Sequence, residues 1–138
     1  MLIIAVHQTH LIMAVSGFRR WAAYQKGFKV ARDIYRLSIQ FPPTERSLID
    51  QIRRSSRSVC AHLAEIYAVR SYPKHYRSKL VVAMGENMET QVWLDFAHHA
   101  KYIDEATYSS LCEQSEETGK LLSYMYSHPE KFARWESR

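Results

Sequence analysis

The sequence is poor in the residues that break or staple a chain. Four glycines and four prolines stand among 138 residues, few turn formers for a many-stranded β protein. The two cysteines, Cys60 and Cys112, lie far apart without CxxC spacing, which supports neither a disulfide scaffold nor a zinc ribbon. A reducing cytoplasm is the simplest home for such a chain. Nor is there an apolar run of the roughly 20 residues a membrane span needs. The stretch from Met1 to Val15 is broken by His7, Gln8, Thr9 and His10, and its positive charges, Arg19 and Arg20, follow it. A secretory signal carries them in front. Residues 1–16 therefore read as an N-terminal extension, with Met13 an alternative start. Phosphate loop, dinucleotide fingerprint, zincin motif and nucleophile elbow are all missing.

What is present is ordinary globular chemistry, 46% hydrophobic and 24% charged residues, in a length that suits one domain with its own core. Charge is unevenly spread. Residues 1–80 hold 14 Lys/Arg against 4 Asp/Glu, a balance of +10, and residues 81–138 hold 5 against 10, a balance of −5. Such a division suits a polyanionic partner or complementary faces between subunits.

Pro42-Pro43, Ser71-Tyr72-Pro73 and Ile103-Asp104-Glu105 break the chain. Proline removes an amide donor and restricts its predecessor, while Asp104 can cap a helix and Glu105 suits its positive end. Four helices follow, over about 18–40, 44–70, 73–101 and 105–127, each with helical periodicity. Short connections between long helices predict antiparallel neighbours, an all-α, up-down-up-down four-helix bundle spanning 17–128, with 129–138 as a C-terminal tail.

The second helix carries a core stripe of Leu48, Ile52, Ser55, Val59, Leu63 and Ile66; the fourth carries Tyr108, Leu111, Ser115, Thr118, Leu122 and Met125. The first has two seams, one of Trp21, Tyr24, Phe28, Ala31 and Tyr35, the other of Val30, Ile34, Leu37 and Phe41. The third places Leu80, Ala83 and Leu94 on one side and Val82, Val92, Trp93 and Phe96 on the opposite one. A bundle helix needs one buried stripe, so the surplus predicts a homo-oligomer. Val30, Ile34, Leu37, Val82, Trp93 and Phe96 are the candidate interface residues.

Opposite the second helix's core stripe run Arg46, Arg53, Arg54 and Arg57, joined on the first helix by Lys26, Lys29 and Arg36 and preceded by Arg19 and Arg20. Arginine forks suit phosphate, so this strip is the candidate contact with RNA or DNA. The competing reading is a solvated face, or arginines paired with acidic residues of a neighbouring subunit, because no stacking aromatics obviously interleave with the strip. A carboxylate-bridged metal site would need Glu-x-x-His pairs. Asp95-x-x-His98 and the reversed His62-x-x-Glu65 come nearest, and the first helix has no Glu. His62 and His98 read as polar residues at a core edge, Cys60 and Cys112 as small buried hydrophobes. The sequence offers no acid, base and nucleophile set, so no enzyme, cofactor or metal is expected.

Tyr24-Gln25-Lys26, Ile34-Tyr35, Phe41-Pro42-x-x-Glu45, Gln51-Ile52-Arg53-Arg54-Ser55 and Ser58-Val59-x-Ala61-x-Leu63-Ala64-Glu65 follow one another in an informative order. With Arg70-Ser71, Leu80-x-x-Ala83-x-Gly85 and Met88-Glu89-x-Gln91, they resemble the proteins encoded in intervening sequences of bacterial 23S ribosomal RNA genes. The resemblance covers about residues 18–127. It implies a left-handed up-and-down bundle assembling as a ring of five, with no established enzymatic activity. A related branch, the accessory variability determinants of diversity-generating retroelements, forms pentameric barrels that bind nucleic acid and a reverse transcriptase. This chain departs from the pattern at Tyr24, where the family has Trp. It departs again at His62-Leu63-Ala64-Glu65-Ile66, where the family has Asn-Ile-Ala-Glu-Gly, so that a branched side chain replaces a glycine.

Overall fold

Three short breaks divide the chain into four long helices. In the computed structural model, which describes residues 17–135, these are α1 (Ala22–Ser38), α2 (Arg46–Ala68), α3 (Pro73–His99) and α4 (Glu105–Ser127), with no strand among the described residues. Single 3-10 turns at Gly17–Arg20 and Pro43–Glu45 lead into α1 and α2, and one further turn, α5 (Pro129–Phe132), follows α4. The extension read over residues 1–16, with Met13, lies outside the described residues.

Each boundary has a local cause. Helix α1 ends at Ser38, and Phe41, just before Pro42-Pro43, turns into the core at 4% exposure. Pro73 opens α3, where its missing amide would have had no helical partner. Asp104 caps α4 by accepting the Thr107 amide at 2.7 Å, and the Thr107 side chain and amide together hold its carboxyl below the usual range. Helix α3 closes with the Lys101 amide on the His98 carbonyl and the Tyr102 amide on the Ala97 carbonyl, both at 2.9 Å. Lys101 sits at φ 63°, the left-handed position that this motif usually gives to glycine.

Each long helix packs against its neighbours in sequence, and α1 also packs against α4. One apolar cluster takes Ala23 from the start of α1, Leu63 and Ile66 from the end of α2, Tyr76 and Leu80 from the start of α3, and Leu122 and Met125 from the end of α4. The second takes Val30 and Ile34, Leu48 and Ile52, Leu94 and Ala97, and Leu111 from the opposite helix ends. Between them along the helices lie buried Ser55, Ser56, Asn87, Thr90, Ser115 and Thr118. Each finds a partner, as buried polar groups must: Ser56 and Thr118 donate to carbonyls of their own helices, and the others pair across helices. Asn87 Nδ2 donates to the Ser115 carbonyl at 2.8 Å, Ser115 Oγ to Asn87 Oδ1 at 3.0 Å, and Thr90 Oγ1 to Ser55 Oγ at 2.9 Å. Gly119 leaves room for this belt, since a Cβ there would stand 3.2 Å from Asn87 Nδ2.

The stripes expected on α2 and α4 are the core stripes, with Tyr108 half-buried at the edge. Ile66, which replaces the family's glycine, is fully buried in the first cluster; the branched side chain fills this chain's own core. Two expectations on α1 are corrected. Val30 and Ile34, assigned to a subunit interface, are 3% and 0% exposed inside the bundle, and Leu37, with Trp93 of α3, leans on the same cluster. The aromatic seam expected beside them splits, because the inward arc of α1 ends at Ala31. Ala31 is buried whereas Phe28 and Tyr35 are exposed. The segment after Pro129, expected as a tail, packs Phe132, Ala133 and Trp135 against the first cluster.

Candidate nucleic-acid interface

The basic strip read from the sequence divides among three neighbours. Arg54 turns to α3, where its guanidinium meets Glu86 at 3.2 Å and Glu89 at 2.6 Å; these carboxylates raise its pKa. Lys26 turns to α4 and meets Glu117 at 2.8 Å, holding that carboxyl below its usual range, with Lys29 adding to the effect. Arg36 lines a separate groove between α1 and α4, of about 530 Å³, with Asp33, Gln40, Ser110 and Gln114. Arg46 is exposed at the first turn of α2.

Arg53 and Arg57 face α1. Arg53 Nε donates to Ser38 Oγ at 2.7 Å. Its guanidinium lies 4.7 Å from the centre of the Tyr35 ring, and that of Arg57 lies 5.3 Å from the same centre. Attraction to the ring quadrupole orients both cations without neutralising them. No carboxylate forms an ion pair with either arginine among the described residues.

Arg57 and Tyr35 belong to the wall of a groove of about 380 Å³ between α1 and α2, completed by Tyr24, Phe28, Ala31, Arg32 and Cys60. Phe28 is 52% exposed and Tyr35 43%. Burial pushes the Cys60 thiol up to about 12, so it presents a neutral, apolar surface at physiological pH. The sequence put Tyr24, Phe28 and Tyr35 in one apolar seam; Tyr24 does pack against the first core cluster, whereas the exposure of Phe28 and Tyr35 was missed. The available signal was the Arg53–Arg57 pair, one helical turn apart on the facing helix.

A profile of the 23S rRNA-intervening sequence proteins matches residues 19–124, which takes in α1 to α3 and nearly all of α4. The chain belongs to that family. A solved relative, a protein of unknown function from the S23 ribosomal protein family of Bacteroides thetaiotaomicron, is 27% identical, with a TM-score of 0.69 over 76% of this chain and 95% of that one. No curated protein matches the chain.

On this intervening-sequence protein a second surface stands apart from the groove. Val81, Met88, Val92 and Phe96 are 55%, 65%, 45% and 56% exposed and, at helical spacing, fall with Gly85 on the face of α3 opposite its buried residues. Val82, at 44%, stands beside them. Of the expected interface residues, Val82 and Phe96 are thus the two left well exposed.

The other candidate chemistry is scattered. His98 stacks on Tyr108 at 4.1 Å between ring centres and meets Glu105 at 2.7 Å, while Tyr108 donates to Asp95 at 2.6 Å. His62 meets Glu65 at 3.3 Å. Among the described residues no group of three His, Cys, Asp or Glu is placed to hold a metal ion, and no helix is long and apolar enough to cross a membrane.

Proposed function

We propose that this intervening-sequence protein is a non-enzymatic cytoplasmic scaffold that contacts RNA or DNA through the arginines facing α1. Its subunits are left-handed, up-down-up-down bundles joined as a homopentamer. The observation that carries the nucleic-acid reading is the contrast between neighbours on one helix. Arg54 is neutralised by two carboxylates, whereas Arg53 and Arg57 are held in place by an uncharged ring and keep their charge for a partner. Arg46 extends the same helix as a further phosphate contact, and Lys29 and Arg36 flank it on the α4 side.

The assembly reading is supported by the uncharged outer stripe of α3, too long and continuous for a surface meant to stay in water. The ring of five rests on the family. A second reading, an oligomer that binds no nucleic acid, is favoured by Arg54 and Lys26 finding their carboxylates within the chain.

Light scattering after size exclusion at low and high salt, with the 260/280 nm ratio recorded, separates these readings. A mass of about 81 kDa, five times the 16.2 kDa chain, at both salts supports the ring. A high absorbance ratio that salt abolishes without changing the mass supports nucleic-acid contact. A 16.2 kDa particle removes the ring, and a low ratio at low salt favours the second reading.

A further inference from the structure

We infer that the α1–α2 groove receives unpaired nucleobases, so that the protein prefers single-stranded RNA or DNA to duplex; this rests on the nucleic-acid reading above. Backbone contact alone asks for cations along a track. This groove adds what such a track does not need, two half-exposed aromatic rings, Phe28 and Tyr35, set among Arg32, Arg53 and Arg57. Aromatic faces beside guanidinium groups are the chemistry that stacks bases and holds their phosphates.

The two rings stand seven positions apart, which places them about 10 Å from one another along the helix. That spacing is wider than one sandwiched base would fill, so Phe28 offers the stacking face while Tyr35, its ring covered by Arg53 and Arg57, sets two guanidinium groups beside it for the phosphates. The floor between them is Ala31 and the neutral thiol of Cys60, an apolar surface suited to a base face. At about 380 Å³ the groove is in the size range of a small-molecule pocket. A duplex keeps its base faces stacked on one another and offers none to such a pocket. Charge completes the match: Arg32 is engaged by Asp33 at 3.3 Å, and the two other cations remain uncompensated.

The test is fluorescence anisotropy with a labelled single strand of about 15 nucleotides, near the upper site size of simple single-strand binders, against its duplex. The single strand is expected to bind about tenfold more tightly, and Phe28→Ala and Tyr35→Ala each to weaken it about tenfold while moving the duplex by less than about twofold. Phe28→Trp adds a reporter whose emission the bases quench beyond any change from Trp21, Trp93 and Trp135. Both alanine variants keep their helical circular dichroism, because neither ring belongs to the buried core.

Equal affinity for both forms, unmoved by Phe28→Ala, overturns the groove while leaving backbone contact intact. No binding of either form removes the underlying reading as well. A Phe28→Ala protein that falls apart into smaller particles gives the groove to a second copy of the chain and also overturns the inference.

Discussion

The α1–α2 groove and the outer face of α3 expose apolar side chains to a similar degree, but their surroundings differ. In the groove Tyr35 has two guanidinium neighbours, and Arg32 lines the same wall as Tyr24 and Phe28. On α3 the apolar side chains follow one another with Gly85 among them, and the nearby carboxylates, Glu86 and Glu89, are drawn aside onto Arg54. Exposure alone therefore does not identify a partner. The charges left uncompensated beside the apolar surface do, and they separate a face suited to an anionic ligand from one suited to another apolar face.

The comparison breaks most visibly on α3. Val92→Glu with Phe96→Glu is expected to reduce an assembly of about 81 kDa to the 16.2 kDa chain by light scattering, with helicity retained because both side chains project away from the core. An unchanged mass would clear this face of any role in assembly. Next in size, Arg53→Ala with Arg57→Ala is expected to weaken nucleic-acid binding and flatten its logarithmic salt dependence by about one unit per lost contact. The mass should stay as it was, and unaltered affinity would remove both arginines.

Gly85 sharpens the contrast by giving two signs at once. A Cβ there meets nothing within 4 Å in the chain, so Gly85→Ala should stabilise the isolated subunit by about 0.5–1 kcal/mol in urea denaturation. If copies approach closely across this stripe, the same methyl group should weaken the assembly. A smaller effect is expected from Arg54→Ala, which should leave nucleic-acid affinity unchanged and lower stability by less than about 1 kcal/mol, the range of an exposed pair.

The smallest is a pH effect on the α4 side of α1. Lys26 depresses the Glu117 carboxyl, so this pair contributes stability above the unfolded carboxylate range and loses it as pH falls through the depressed folded value. Urea midpoints taken from neutral to acid pH should show a shallower acid loss in Glu117→Gln than in the parent.

Where one stripe was apolar and the rest of the helix polar, the core was legible: Leu48, Ile52, Val59, Leu63 and Ile66 on α2 are all buried. Asp104 and Pro73 marked their helix starts for equally local reasons. Of the site, Arg53 and Arg57 were legible and the exposed aromatic rings were not, because α1 has two adjoining apolar seams. Periodicity cannot tell which of Ile34 and Tyr35 points inward; that depends on which helices flank α1. Likewise Arg53, Arg54 and Arg57 form one strip on a helical wheel, yet a turn of about 100° between consecutive residues sends Arg54 to α3 and Arg53 to α1. The outer stripe of α3 was legible in part: Val92 and Phe96 stand exposed opposite Leu80, Ala83 and Leu94 with Val82 beside them, whereas Trp93, read with them, leans on the second core cluster.

The segment following α4 has a practical consequence. Phe18 meets Tyr67, Trp21 meets Phe132, and the Arg134 amide bonds the Arg70 carbonyl at 3.0 Å, so residues 17 and 135 both lie at the pole of the α2–α3 connection. The other pole is joined separately, by Phe41 against Tyr102 and by Tyr102 donating to Glu45 at 2.9 Å. A short linker could therefore splice residue 135 to residue 17, with new termini opened at Pro42-Pro43. Such a circular permutant would carry any fused reporter at the opposite pole and leave the lengthwise faces of the bundle clear.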